Sequence, residues 1–140
     1  MLYYIIIKHR NARFVLQYNL VLQVLKKGVV KVELNKELLK GHIDTLILAI
    51  LEKNDSYGFE IAKNVLNKTT FELKDGTLYI SLKRMESKGL IESYWQSSTG
   101  AGNRRKYYKI TDLGRETLDI KVQEWNFVKN IMDEYLRGRN

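Results

Sequence analysis

The side chains with the clearest chemistry in this sequence are three consecutive cations, Arg104, Arg105 and Lys106. They follow the Ser- and Gly-rich segment 97–103 and open a predicted strand, so their side chains alternate between its two faces and need not repel one another. Cations beside a flexible loop tip are suited to contact the phosphate groups of a nucleic acid. A charged edge strand that deters aggregation is the alternative interpretation.

A second set of polar side chains lies on the helix predicted over residues 75–88. Hydroxyl groups and cations on its outward side suit base edges and phosphates, and Lys74 precedes its N-terminus, where backbone N–H groups attract anions. Ordinary solvated charges explain this helix equally well on its own, but the cationic strand after it favours DNA binding. The candidate DNA-binding residues are Tyr57, Lys74, Thr77, Tyr79, Ser81, Lys83, Arg84, Arg104, Arg105 and Lys106.

Composition argues against most other chemistry. The chain has no cysteine, which excludes disulfides, Cys-ligated zinc and thiol catalysis. Neither His9 nor His42 has an acidic or histidine partner at metal-ligand spacing. No nucleophile–base pair or phosphate-binding loop is recognisable, so the sequence predicts neither an enzyme nor a metal or cofactor site. The net charge of +8 suggests a polyanionic partner.

Three helices are predicted to position these side chains. Asn35 is a suitable N-cap for a helix that continues to about Lys53, and a second helix follows the Ser56-Tyr57-Gly58 segment to about residue 67. The third helix, over residues 75–88, begins at the N-cap candidate Asp75 and is closed by Gly89 as a C′ glycine. The residues expected to face the core are Leu38, Leu39, Ile43, Leu46, Ile47, Ile50, Leu51, Phe59, Ile61, Ala62, Val65, Leu66, Leu78, Leu82 and Met85.

A hairpin and a long helix complete the predicted domain. Strands over residues 90–95 and 104–110 flank the loop, and Thr111 caps a fourth helix with an apolar stripe. The fold class is mainly α with a small β-hairpin: a winged helix-turn-helix over residues 35–110, then a dimerisation helix over 111–136. Because the domain before it is nearly complete, the stripe is expected to meet a second copy. The expected dimer-interface residues are Leu118, Val122, Trp125, Val128 and Met132, and Tyr135 continues their stripe.

Residues 1–31 do not resemble the rest of the chain. Their apolar run at 2–7 is too short to span a membrane, and they lack the order of regions of a signal peptide. Codons for Lys26-Lys27-Gly28-Val29 can resemble a ribosome-binding site, and Val32 can be encoded by GTG, a bacterial start codon. The hypothesis is that residues 1–31 are an upstream region read as protein; the alternative is a genuine extra helix or strand packing on the dimer. Mass spectrometry of the protein from its native host separates the two, since peptides covering 14–24 exclude the first.

The motifs in residues 36–135 resemble the PadR family of transcriptional regulators in order and spacing. Phe59 stands where the family usually has Tyr, and Ile80 where it commonly has Pro. The matching segments are Gly41-His42-Ile43-Asp44-Thr45-Leu46-Ile47-Leu48-Ala49-Ile50-Leu51, Tyr57-Gly58-Phe59-Glu60-Ile61, Gly76-Thr77-Leu78-Tyr79, Leu82-Lys83-Arg84-Met85-Glu86, Lys88-Gly89-Leu90-Ile91 and Arg104-Arg105-Lys106-Tyr107-Tyr108-Lys109-Ile110-Thr111, with Gly114.

This resemblance implies a cytoplasmic homodimeric repressor that a small molecule releases from its double-stranded DNA operator. The short C-terminus resembles the compact subgroup that includes the lactococcal multidrug-binding regulator, in which paired tryptophans of the last helix sandwich flat aromatic ligands. Trp125 occupies the matching place, and packing of the dimer interface is the alternative role for it. The implied effector-binding residues are Trp125, Val122, Lys129, Asp44 and Thr45.

A winged-helix module that binds only other proteins is the competing function. Such modules usually lack a cationic recognition helix combined with a cationic wing, and this sequence is predicted to have both. Autoregulation is a further expectation, and the DNA that encodes residues 1–31, upstream of the Val32 codon, makes it testable.

Overall fold

The computed structural model describes residues 36–69, 71–97 and 103–139. The described elements from Glu37 onward belong to one compact unit. The hypothesis about residues 1–31, the N-cap at Asn35 and the hairpin tip fall outside the described residues. Within the described ranges, no helix combines the length and the apolar character needed to cross a membrane.

The first predicted helix is two helices, α1 (Lys36–Lys40) and α2 (Ile43–Lys53). A turn at Gly41-His42 separates them, and the His42 N–H donates to the Leu39 carbonyl at 2.9 Å. Glycine is a weak helix former, which suits this break. Leu38 was wrongly expected in the core and is 65% exposed, whereas α2 buries Ile43, Ile47, Leu48 and Leu51.

A short strand, β1 (Ser56–Tyr57), precedes helix α3 (Gly58–Thr69). Ile61 and Val65, one turn apart, are buried as expected. Phe59 and Leu66 were also expected in the core, but both are exposed because they lie on other sides of the helix than the Ile61–Val65 pair.

Helix α4 (Asp75–Ser87) begins one residue earlier than predicted, since its N-cap is Lys74 and not Asp75. Leu78, Leu82 and Met85 are buried, which confirms the predicted inward stripe. Gly89 has φ +74°, and the Leu90 N–H donates to the Met85 carbonyl at 3.0 Å. The predicted glycine C-cap is therefore confirmed.

Strands β2 (Ile91–Ser97) and β3 (Arg104–Ile110) form the predicted hairpin, and β1 adds to it in the antiparallel order β1-β3-β2. Tyr108 pairs with Ser56 and Ser93 on the sheet face that meets the helices, and its ring is buried. Tyr107 pairs with Tyr57 and Tyr94, and these three rings share the opposite face.

Helix α5 (Asp112–Leu136) is capped by Thr111, whose hydroxyl accepts from the Gly114 N–H at 3.0 Å and donates to the Gly89 carbonyl at 2.6 Å. Gly114 is buried, and Leu118 is only 4% exposed in the core. The expectation that Leu118 lies in a dimer interface is therefore wrong: it faces the core of its own protomer. Beyond it the apolar side chains of α5 are exposed.

Candidate nucleic-acid interface

The start of α3 and the middle of α4 meet at Gly58. A Cβ added to Gly58 would lie 3.0 Å from the hydroxyl oxygen of Tyr79, so the missing side chain leaves room for that ring. Tyr79 is nevertheless 53% exposed. Tyr79 therefore lies next to Gly58, the residue that follows the other predicted DNA-binding tyrosine, Tyr57, in the chain.

Arg105 extends this surface from the hairpin to β1. Its guanidinium carbon lies 4.7 Å from the centroid of the Tyr57 ring, a cation–π contact worth about 0.5–1 kcal/mol at an exposed site. Tyr57 is itself held between Phe59, stacked at 6.4 Å, and Tyr107, edge-on at 5.3 Å. The aromatic rings therefore limit the positions available to an exposed cation.

The three consecutive cations separate onto two faces, as predicted for a strand. Lys106 lies over the Tyr108 ring, with its Nζ 5.8 Å from the centroid, on the face opposite Arg105. Arg104 and Arg105 are both exposed, and Lys106 is half-buried. The hairpin therefore presents cations on both sides of its outer end.

Two tyrosines of the sheet have raised pKa values. The Tyr94 hydroxyl donates to the Asp55 carboxylate at 2.7 Å, and this hydrogen bond is the main reason that the Tyr94 pKa lies above its usual value. Burial raises the pKa of Tyr108. Both rings are therefore neutral near pH 7, and the positive charge of this surface comes from its Arg and Lys side chains.

The exposed side of α4 carries most of the predicted contact residues. Lys74, Thr77 and Lys83 are exposed there. Ser81 is only 3% exposed, so the expectation that it faces outward is wrong: it lies beside the buried stripe of α4 and cannot reach a ligand. Ile80, absent from the predicted set, is 66% exposed. The helical period already places Ile80 opposite the buried stripe, so the sequence carried the signal for its exposure.

Arg84 is also placed differently from the expectation. Its Nη2 donates to Asp44 Oδ1 at 2.7 Å, and the two side chains are 46% and 22% exposed. The pair joins α4 to α2, across 40 residues of sequence. Arg84 was predicted to bind DNA and Asp44 to bind the effector, but in the structure the two side chains bind each other.

The predicted effector residues around Trp125 have different contacts in the structure. His42, to which no role was assigned, contacts Trp125 edge-on with ring centroids 5.5 Å apart. Lys129 pairs with Asp133 at 3.0 Å, and Thr45 is half-buried. Val122 and Trp125 are each about half exposed, at 48% and 52%. Among the described residues, no three His, Cys, Asp or Glu side chains are grouped to hold a metal ion.

The sequence profile of the PadR-like family of transcriptional regulators matches residues 47–120, more than half of the chain. The chain belongs to this family. Members are transcriptional regulators that bind DNA and are generally dimeric, and the predicted winged-helix fold is confirmed.

Solved structures and a sequence relative agree with this assignment. A PadR family regulator from Clostridium difficile is 54% identical, with a TM-score of 0.63 over 68% of this chain and 98% of that protein. A PadR-like regulator from Bacillus cereus is 33% identical, with a TM-score of 0.67 over 74% and 100%. An uncharacterised protein of Lysinibacillus sphaericus is 39% identical over 104 residues, which are 73% of this chain and 94% of the relative.

Proposed function

We propose that this protein is a cytoplasmic, homodimeric repressor whose α4 enters the major groove of its operator while the β2–β3 wing binds the flanking phosphates. The observation that carries the proposal is the contact of exposed Arg105 with Tyr57, beside the Gly58–Tyr79 contact that leads onto α4. These contacts connect the wing, through β1 and the start of α3, to α4. Such packing supports a wing and a helix that contact DNA together.

Contacts with phosphate predict a specific response to salt. Each lost phosphate contact reduces the magnitude of the slope of log K against log salt by about 1. It also weakens binding to all DNA sequences alike. The test measures binding of the full chain, and of a chain that starts with Met at position 32, to DNA from upstream of the Val32 codon at several salt concentrations. Because a dimer carries each substitution twice, Arg105→Ala and Arg104→Ala should each lower the magnitude of the salt slope by about 2.

Lys109→Ala is the matched control for these variants. It removes one positive charge from the same strand, but Lys109 pairs with Glu92 at 3.3 Å, away from the outer end of the hairpin. Its salt slope should remain that of the unchanged protein. Two results would refute phosphate binding by the wing and favour the protein-interaction alternative. In the first, the affinity for DNA does not depend on salt; in the second, Lys109→Ala weakens binding as much as Arg105→Ala does. Preference for the upstream DNA over unrelated DNA supports autoregulation.

The dimer and effector proposals both concern α5. The exposed side chains of Val122, Trp125, Val128 and Met132 support pairing with a second copy, because apolar stripes of this length are usually covered. Within that pair, Trp125 and Val122 would line a slot for a flat aromatic effector, and His42 supports the Trp125 ring from one edge. Lys121 and Lys129 lie one turn away on each side and disfavour a cationic effector, although the charge of Lys129 is partly offset by its pairing with Asp133.

A further inference from the structure

Ile80 lies near the middle of the α4 face that points away from the core. The buried residues Leu78, Leu82 and Met85 mark the inward side of the helix. With about 100° between successive residues, Ile80 falls close to the opposite side. The residues that share this outward side are Gly76, Ile80, Lys83 and Ser87.

The surroundings of Ile80 make its exposure informative. Single exposed apolar side chains are common on proteins, so the 66% exposure of Ile80 alone indicates nothing. Here, however, the branched aliphatic side chain lies between Gly76 and Lys83, one turn away on each side. A Cβ added to Gly76 would meet no atom within 4 Å, so the helix surface beside Ile80 is open to a close approach. Ile80 is the apolar centre of an otherwise small and polar face.

The chemistry of a DNA groove limits what such a side chain can contact. Isoleucine has no hydrogen-bond donor or acceptor in its side chain, so it cannot pair with the polar edges of bases. In the major groove the one apolar group among the four base pairs is the C5-methyl of thymine. An aliphatic side chain at the centre of a groove-facing helix therefore matches thymine and no other base.

We propose that Ile80 is a specificity-determining residue that recognises the methyl group of a thymine in the operator. The inference rests on the proposed function, since it requires α4 to be the helix in the major groove. It adds the identity of one base and the residue that selects it. Burial of a single methyl group should contribute roughly fourfold in affinity at each half-site.

Deoxyuridine provides the direct test, because it differs from thymidine only by the missing methyl group. Duplexes are first selected with the full chain from a random pool, and each thymine of the selected site is then replaced singly by deoxyuridine. At one position per half-site, the replacement should weaken binding of the unchanged protein roughly fourfold. Ile80→Ala should bind the thymine and uracil duplexes equally, and Ile80→Val should retain part of the difference.

Leu66→Ala is the matched control, since it shortens an exposed aliphatic side chain on α3. It should keep the full sensitivity to uracil. If Ile80→Ala keeps that sensitivity too, or no thymine position is sensitive, the assignment of Ile80 is overturned, while the proposed DNA binding itself stands. If the unchanged protein selects no duplex at all, the proposed function and this inference both fail.

Discussion

The two ends of α5 differ in their surroundings, although one apolar stripe runs through both. In the first two turns, Gly114 and Leu118 are buried against the winged-helix core. Further along, Trp125 and Tyr135 are 52% and 83% exposed. The periodicity of a helix therefore identifies its apolar side, whereas the surrounding elements decide whether that side completes a core or remains for a partner.

The exposed end also has a second apolar side that the predicted stripe omitted. Ile120, Phe127 and Ile131 recur at steps of seven and four residues, and all three are exposed. They lie across the helix from Trp125, so the end beyond Leu118 is apolar over a wide arc. A helix with so few contacts in its own protomer is marginally stable alone, which favours packing against a second copy on more than one side.

The largest expected effect tests the buried end, through Gly114→Ala. An added Cβ would overlap the Leu90 carbonyl oxygen and lie 2.7 Å from Ile110 Cγ1, so the α5 backbone must move away from the sheet. We expect the free energy of unfolding to fall by about 3 kcal/mol, measured by urea denaturation at fixed protein concentration. Gly76→Ala is the control, because its Cβ meets nothing and alanine favours a helix. A loss at Gly114 no larger than the change at Gly76 would contradict the close packing.

Whether a feature could be predicted from the sequence depends on how far apart in the chain its interacting residues lie. The inward stripe of α4, the Gly89 cap and the Thr111 cap depend on neighbours within a few residues, and the structure confirms them. Strand β1 was missed because two residues are too few to show alternation, and its partner strand begins some fifty residues later. The ion pair between Arg84 and Asp44 could not be predicted for the same reason, because the two residues are 40 positions apart in the sequence.

The candidate site shows the same limit. Exposure of Lys74, Thr77 and Lys83 on α4 follows from the helical period once the inward stripe is known. The burial of Ser81 does not, because a position at the margin of that stripe is covered or open depending on what packs beside it. The contact of Arg105 with Tyr57 needs the unpredicted strand β1, since the β1–β3 pairing brings the two residues together.

A smaller effect is expected at the exposed end, through Val128→Glu. Because Val128 is 49% exposed in the protomer, the change should leave protomer stability nearly unaltered. A carboxylate placed in an apolar dimer interface should raise the dimer dissociation constant about thirtyfold, equivalent to about 2 kcal/mol. Sedimentation equilibrium measures this, and Asn126→Glu, an exposed position on the polar side of α5, is the control. Equal dissociation by both variants would indicate that charge alone, and not the apolar stripe, governs pairing.

The smallest effect distinguishes the two roles of Trp125 within that exposed end. If the paired tryptophans form a slot, Trp125→Ala should weaken binding of the planar anion anthraquinone-2-sulfonate about tenfold, since base-like stacking on an aromatic ring is worth about 1–3 kcal/mol. Trp125→Phe should weaken it less, because a ring remains. Isothermal titration at a protein concentration where sedimentation shows each variant to be dimeric measures the change. Phe127→Ala, which removes a 68% exposed ring from the other side of α5, should leave the affinity unchanged. Unchanged binding by Trp125→Ala would instead make Trp125 an interface residue alone, and the two ends of α5 would then differ only in which protein surface covers them.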